Sequence, residues 1–275
     1  MRFCARIKVW IFVKFSFSNT GDLELFMNFD PIAFDNAIKF HIKSDGVGTL
    51  NERCLHSVVK YFVDSDTSHH EKKLCGYVAD VFDGDKITEV QTRGFGNLDK
   101  KLEAFLAEYP VNVVFPCAHR KNICWVDPDN GEIIKKSRSP KVGDGRELLF
   151  EASALRRHFG NPNLTFTVIL IDLDEYKLVE PKTKSRRYGT LRIDRVPRGL
   201  FAVINIEKPR DFIKILPPGF PSGRFCADEF AKALGRRRGR HTNFALNTLI
   251  AADAVKFVGY AGNRKTKLYM LNDTE

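Results

Sequence analysis

Two acids stand nine residues apart in a stretch that reads as two adjacent strands. Asp80 lies in Tyr77-Val78-Ala79-Asp80-Val81-Phe82, and Glu89 in Lys86-Ile87-Thr88-Glu89-Val90-Gln91-Thr92. Asp83-Gly84 between them is the dipeptide favoured in tight hairpins. A two-residue turn there pairs Phe82 with Asp85 and sets Asp80 opposite Ile87. Glu89 is then the diagonal neighbour of Asp80 on the same face, roughly 7 to 8 Å away between backbones. Gln91 continues that face. Two carboxylates so placed can converge on a hard cation such as Mg²⁺ or Mn²⁺, which prefers oxygen ligands and keeps waters for a phosphate substrate. A three-residue turn would send them to opposite faces, so the expectation rests on the register. Because Asp80 interrupts an apolar run, burying it unpaired would be costly. The alternative is an exposed hairpin acid or an ion pair with Lys86.

Glu52 shares a helical face with Leu55, Val59 and Phe62, so its carboxylate points inward. Thr49-Leu50-Asn51-Glu52 also matches the capping box, in which Glu52 would bind the helix start instead. Near the other end of the chain, Arg240, Asn243 and Asn247 share a helix face at spacings of three and four. Arg suits guanine and Asn suits adenine in a major groove, while Arg236, Arg237 and Arg238 can neutralise phosphates. Arg264, Lys265 and Lys267 sit in a terminal hairpin, where they would touch a nucleic-acid backbone. Cys117-Ala118-His119 with Cys124 has a faint metal pattern, but cysteines on apolar strands are commonly core residues. No Walker loop or G-x-G-x-x-G string occurs, so nucleotide cofactors are not indicated.

The elements that must position these residues follow from periodicity and breakers. Helices are expected over 49–63, over 98–108 with Asn97 as cap, and near 146–158. Strands are expected over 75–82, 86–92, 111–117, 123–126 and 164–173, with 98–108 as a parallel crossover. The expected fold is α/β, a mixed sheet flanked by helices. Residues 1–28 are taken as an N-terminal extension that imitates a signal peptide, with Met27 as a second start. The sheet domain spans 29–176, and 177–206 reads as a basic linker or hairpin. Residues 207–275 give helix, helix, helix and hairpin, the order of a winged helix-turn-helix.

At this point the residues resemble a family. An early-helix Glu, then Asp80, then Glu89-Val90-Gln91 at the end of the next strand, then a helix and a strand, is similar to the PD-(D/E)XK nuclease superfamily. Gly76-Tyr77-Val78-Ala79-Asp80 with Glu89-Val90-Gln91-Thr92-Arg93-Gly94-Phe95 resembles, more closely, a group of microbial proteins that couple such a domain to a winged helix. The resemblance implies a restriction-endonuclease-like sheet. It also implies Asp80 and Glu89 as metal ligands, Val90 as a carbonyl donor, Glu52 as ligand or supporting acid, and Gln91 in the catalytic set. Gln91 stands where the superfamily's lysine usually stands, which removes a charge that could position the attacking water. Arg93, just past the site, could contact a phosphate. The only stretch available for the superfamily's first core strand is His70 to Leu74.

The chain has 275 residues, 43% of them apolar and 28% charged, which rules out a disordered tail and allows two domains. Residues 1–175 carry 23 Lys and Arg against 25 Asp and Glu, whereas 176–275 carry 21 against 9, so all the excess positive charge is C-terminal. That asymmetry suits a polyanion such as double-stranded DNA. No apolar run is long enough to span a bilayer, and six cysteines without a C-x-x-C pair suit a reducing cytoplasm. The expectation is therefore a cytoplasmic DNA-binding protein with a Mg²⁺- or Mn²⁺-dependent nuclease-like domain, not membrane-bound, with a homodimer left open. A non-catalytic DNA-binding regulator on the same scaffold, and an adaptor whose basic end binds an acidic protein, are the alternatives.

Overall fold

Runs such as Val111-Asn112-Val113-Val114-Phe115 and Val168-Ile169-Leu170-Ile171 have no polar face, as expected of strands covered on both sides. A computed structural model describes residues 30–45, 54–179, 190–262 and 265–272. Glu52, Arg264 and the expected N-terminal extension lie outside the described residues. The two apolar runs belong to β4 (Val111–Val126) and β6 (Leu164–Val179), which pair in parallel at the centre of a large mixed sheet. Its other strands are β1 (His70–Leu74), β2 (Tyr77–Phe82), β3 (Ile87–Val90), β5 (Ile133–Arg138) and β7 (Thr190–Ile206). The order is β1-β2-β3-β4-β6-β7, with β5 on the far half of β4.

Alternation along the central strands divides the core into two layers. On one face α1 (Pro31–Asp45) and α2 (Cys54–Val63) bury Phe34, Leu55, Val58 and Val59 against Val114, Ile169 and Ile171. On the other face α3 (Asp99–Leu106) and α4 (Glu147–Glu151) bury Leu102, Phe105, Leu148 and Leu149 against Val113, Phe115, Phe166 and Val168. Helix α3 carries the chain from β3 back to β4, and these two strands are parallel, as a crossover requires.

Several boundaries differ from the sequence expectation. Strands 111–117 and 123–126 are one strand, bent by an irregularity between Ala118 and Lys121. The 98–108 helix begins at Asp99 after a 3₁₀ turn, Phe95–Leu98, and Asn97 does not cap it. Most consequentially, the sheet does not end at 176: β6 runs to Val179, and β7 pairs with it antiparallel from Thr190 to Ile206. Of the two expectations for 177–206, linker or hairpin, the antiparallel pairing is that of a hairpin, and its basic residues bond to buried acids of β6. Lys177 and Arg192 reach the buried Glu175, and Arg198 and Lys136 reach the buried Asp174.

The C-terminal elements are β8 (Phe225–Cys226), α5 (Ala227–Ala233), α6 (Arg240–Ala251), β9 (Val255–Ala261) and β10 (Thr266–Leu271). The three strands form a small sheet in the order β8-β10-β9. This unit shares the hydrophobic layer of α3 and α4 rather than standing apart. Phe212, in a 3₁₀ segment over Pro209–Ile215, stacks on Phe159 and packs against Phe166. Thr248 of α6 donates its hydroxyl to the Leu149 carbonyl of α4 at 2.7 Å. Among the described residues no helix is long and apolar enough to cross a membrane.

Candidate active site

The turn between β2 and β3 is longer than its Asp-Gly dipeptide suggested. Val81 pairs with Thr88 and Phe82 with Ile87, so four residues, Asp83 to Lys86, make the connection. Asp83 holds this loop by accepting the backbone N–H groups of Asp85 and Lys86 at 2.9 and 2.8 Å. An even-numbered turn preserves parity, and Asp80 falls opposite Glu89 rather than diagonal to it.

The ladder stops one step short of that pair. Beyond Val81 and Thr88, β2 stays bonded to β1 and β3 stays bonded to β4, so the two strands part into a fork. The acids fill it. Asp80 Oδ2 accepts the Val90 backbone N–H at 2.8 Å, and Glu89 Oε1 accepts the Asp80 backbone N–H at 3.2 Å. Each carboxylate thus replaces a missing rung, and the two meet between the strands. Glu89 is 2% exposed, whereas the Asp80 side chain is 16% exposed and opens toward solvent.

Two basic side chains flank the pair, one from each covering layer. His56 Nε2 of α2 lies 3.3 Å from Asp80 Oδ2, and Lys101 Nζ of α3 lies 2.6 Å from Glu89 Oε2. The electrostatics of the acids diverge accordingly. Burial, then the charge of Asp80, pushes the Glu89 carboxyl up from 4.5 to about 7, with Lys101 opposing. Burial also acts to raise Asp80, but the His56 hydrogen bond and charge, the Val90 N–H and Lys101 outweigh it and hold that carboxyl below its ordinary value. One acid is kept ionised and its neighbour is poised near neutrality.

The remaining expected residues are arranged as follows. Gln91 follows the end of β3, and its amide donates to the carbonyls of Arg93 at 2.7 Å and Gly94 at 3.5 Å, so it serves the loop. Val90 gives its N–H to Asp80 and buries its side chain on the α1–α2 side. Arg93 is exposed, and the next residue, Gly94, donates its N–H to Glu151 at the end of α4. That helix also meets the C-terminal unit: the Arg236 guanidinium lies over the Phe150 ring at 4.8 Å, and His241 packs edge-on against it. The loop beside the acids and the start of α6 are therefore joined through two adjacent residues of α4.

Arg236, Arg237, Arg238 and Arg240 are exposed, as are Asn243 and Asn247, while Thr242, Ala245, Leu246 and Leu249 fill the buried side of α6. Arg238 is paired with Asp228 at 3.1 Å. Lys265 and Lys267 are exposed on the terminal hairpin. Cys117 donates to Glu147, and His119 lies flat on Phe201 with Nδ1 3.0 Å from the Gly143 carbonyl, so neither faces Cys124 as a ligand set would. Among the described residues no group of three His, Cys, Asp or Glu converges as a metal cage.

His56 and Lys101 were missed by sequence reasoning, although a signal existed. Lys101 lies one turn from both Leu98 and Phe105, on the buried stripe of α3, and a lysine on a buried stripe needs an acid.

A fork of acids in a mixed sheet, covered by helices on both faces, defines an α/β protein with a candidate acid–base or cation site. The chain belongs to a family described as a domain of unknown function (DUF8091), whose model matches residues 53–207. It is 30% identical to an uncharacterized protein of Treponema pallidum (strain Nichols) over 206 residues, 74% of this chain and 79% of that protein. No solved structure matches the chain.

Proposed function

We propose that the chain is a DNA-binding protein of the PD-(D/E)XK type, in which Asp80 and Glu89 hold Mg²⁺ or Mn²⁺ for phosphodiester hydrolysis and a C-terminal winged helix-turn-helix grips the duplex. The observation that carries this reading is the fork, where two carboxylates share a mostly buried site and one is pushed up to about 7. Like charges held together in this way are relieved by a divalent cation. The donors fit a hard ion, since both are carboxylate oxygens and two protein ligands leave positions for water and substrate phosphate. When bound, the cation lowers the pKa of a water ligand and offsets charge developing on the phosphate.

The chain's own residues have distinct tasks in this scheme. His56 keeps Asp80 ionised and oriented. Lys101 brings to Glu89 the positive charge that Gln91 lacks. Arg93 contacts the phosphate backbone beside the site, and the arginines of 236–240, joined to that loop through α4, continue the contact along the duplex. Incubation of plasmid with the protein and Mg²⁺ or Mn²⁺ is expected to give cleavage, abolished in Asp80→Ala and Glu89→Ala. Intact plasmid with the unaltered protein would remove the enzyme claim. Cation binding, followed by calorimetry, is expected to weaken about ten-fold per pH unit below the Glu89 value, because the proton and the metal compete for one carboxylate.

A second reading is favoured by a specific contact set. His56 and Lys101 already occupy the acids as partners, and Gln91 is turned onto the loop, which suits a non-catalytic scaffold that acts as a DNA-binding regulator. Under it, plasmid is bound in a salt-sensitive manner but not cut, and Asp80→Ala alters stability alone.

A further inference from the structure

The terminal hairpin carries a file of aromatic rings that starts in the core and runs out into solvent. Simple alternation along β9 would place Phe257 and Tyr260 on opposite faces. A bulge prevents this. Leu268 pairs with Gly259 and Tyr269 with Phe257, which leaves Val258 as the extra residue. Gly259 takes φ +129, a conformation that a side chain would strain. Beyond the bulge Tyr260 lies directly opposite Lys267. Because Lys267 and Tyr269 are two apart on β10, the side chains of Phe257, Tyr260, Lys267 and Tyr269 all project from one face.

The rings touch in sequence. Phe225, fully buried, stacks on Tyr269 at 6.3 Å; Tyr269 meets Phe257 at 6.1 Å; Phe257 meets Tyr260 at 5.1 Å. Exposure grows along the file, to 48% at Phe257 and 57% at Tyr260. Lysines border its outer end: Lys267 beside Tyr260 and Lys265 at the turn, both exposed. A protein gains nothing by fixing a bulge that aims two large rings at water, whereas aromatic faces set among cations match the combination that binds unpaired nucleotides. A base inside a duplex has both faces covered by its neighbours, so only an unpaired base offers a face to stack, while its phosphate meets the lysines.

We infer that the β9–β10 hairpin captures unpaired nucleotides, so that the preferred substrate is a duplex bearing a single-stranded segment rather than uniform double helix. This rests on the DNA-binding reading above and narrows its substrate class. The test uses the full chain and fluorescence anisotropy with two probes, a blunt duplex and the same duplex extended by an oligothymidylate tail. The tail is expected to tighten binding about ten-fold. Phe257→Ala and Tyr260→Ala are each expected to erase most of that gain while leaving blunt-duplex binding unchanged, and Tyr260→Trp is expected to retain it with emission quenched by the tailed probe alone. Equal affinity for the two probes, or a gain that survives both alanine variants, overturns the inference and leaves the platform to a protein contact. Failure of the DNA-binding reading itself looks different, because neither probe would then bind in a salt-sensitive manner.

Discussion

At Glu89 the folded protein holds a proton that the unfolded chain would release. Its carboxyl is pushed up to about 7 from an ordinary 4.5, so between these values the native state binds the proton and the denatured state does not. Stability contributed by this group is therefore full below the unfolded value and is lost as pH rises through the folded one. Urea unfolding of Glu89→Gln beside the unaltered protein is expected to show the variant gaining on its parent by about 1–3 kcal/mol between pH 5 and pH 8. A gap that does not change with pH would mean that Glu89 is ionised throughout. Lys101→Met removes the main opposing charge and should move the Glu89 titration further up, read by NMR of the carboxyl carbon. The acids were legible in the sequence because Asp80 and Glu89 interrupt apolar strands flanking an Asp-Gly turn. Their basic partners were not, since His56 and Lys101 reach the fork from helices on opposite faces of the sheet, a relation that local spacing does not encode.

Strands whose apolar residues fill both faces were legible as elements, and so was the crossover from β3 through α3 to β4. Lengths were less so. An exposed Arg120 in the middle of β4 reads as an interruption, but the strand continues past it because the irregularity between Ala118 and Lys121 is clasped from outside. Gly143 donates its N–H to the His119 carbonyl at 2.8 Å, and the His119 ring bonds back to the Gly143 carbonyl at 3.0 Å. A Cβ on Gly143 would lie 2.0 Å from the Ala118 carbonyl oxygen, a backbone atom that cannot swing aside. Gly143→Ala is expected to cost about 3 kcal/mol or more in denaturant unfolding, as overpacking against fixed backbone does. It should also expose the distal half of β4 to hydrogen exchange. A cost below about 1 kcal/mol would show that the loop shifts freely and that the clasp does not hold the strand.

Over the whole molecule, charge asymmetry suggested two modules, an acidic sheet domain and a basic DNA-binding end, but packing joins them. Part of the C-terminal positive charge is spent inside the sheet on Asp174 and Glu175, and the rest faces solvent around α6 and the terminal hairpin. Phe212 sits between these regions in sequence and is fully buried against Phe159 and Phe166, so the segment after β7 belongs to the sheet's own core. Thr248, also fully buried, ties α6 to the Leu149 carbonyl. Elements that share one apolar layer lose it together, and the full chain is expected to unfold in a single transition, coincident by fluorescence and circular dichroism. Phe212→Ala should lower the midpoint of that transition by removing about 3–5 kcal/mol, and Thr248→Val should remove about 1–2 kcal/mol by leaving the Leu149 carbonyl without its donor. In both variants the denaturant slope should stay at its parent value, since the surface exposed on unfolding is the same. Two resolved transitions, only one of them moved by Thr248→Val, would instead establish the basic end as an independent module, and the contacts from the acid fork through α4 to Arg236 could no longer fix the two relative to one another.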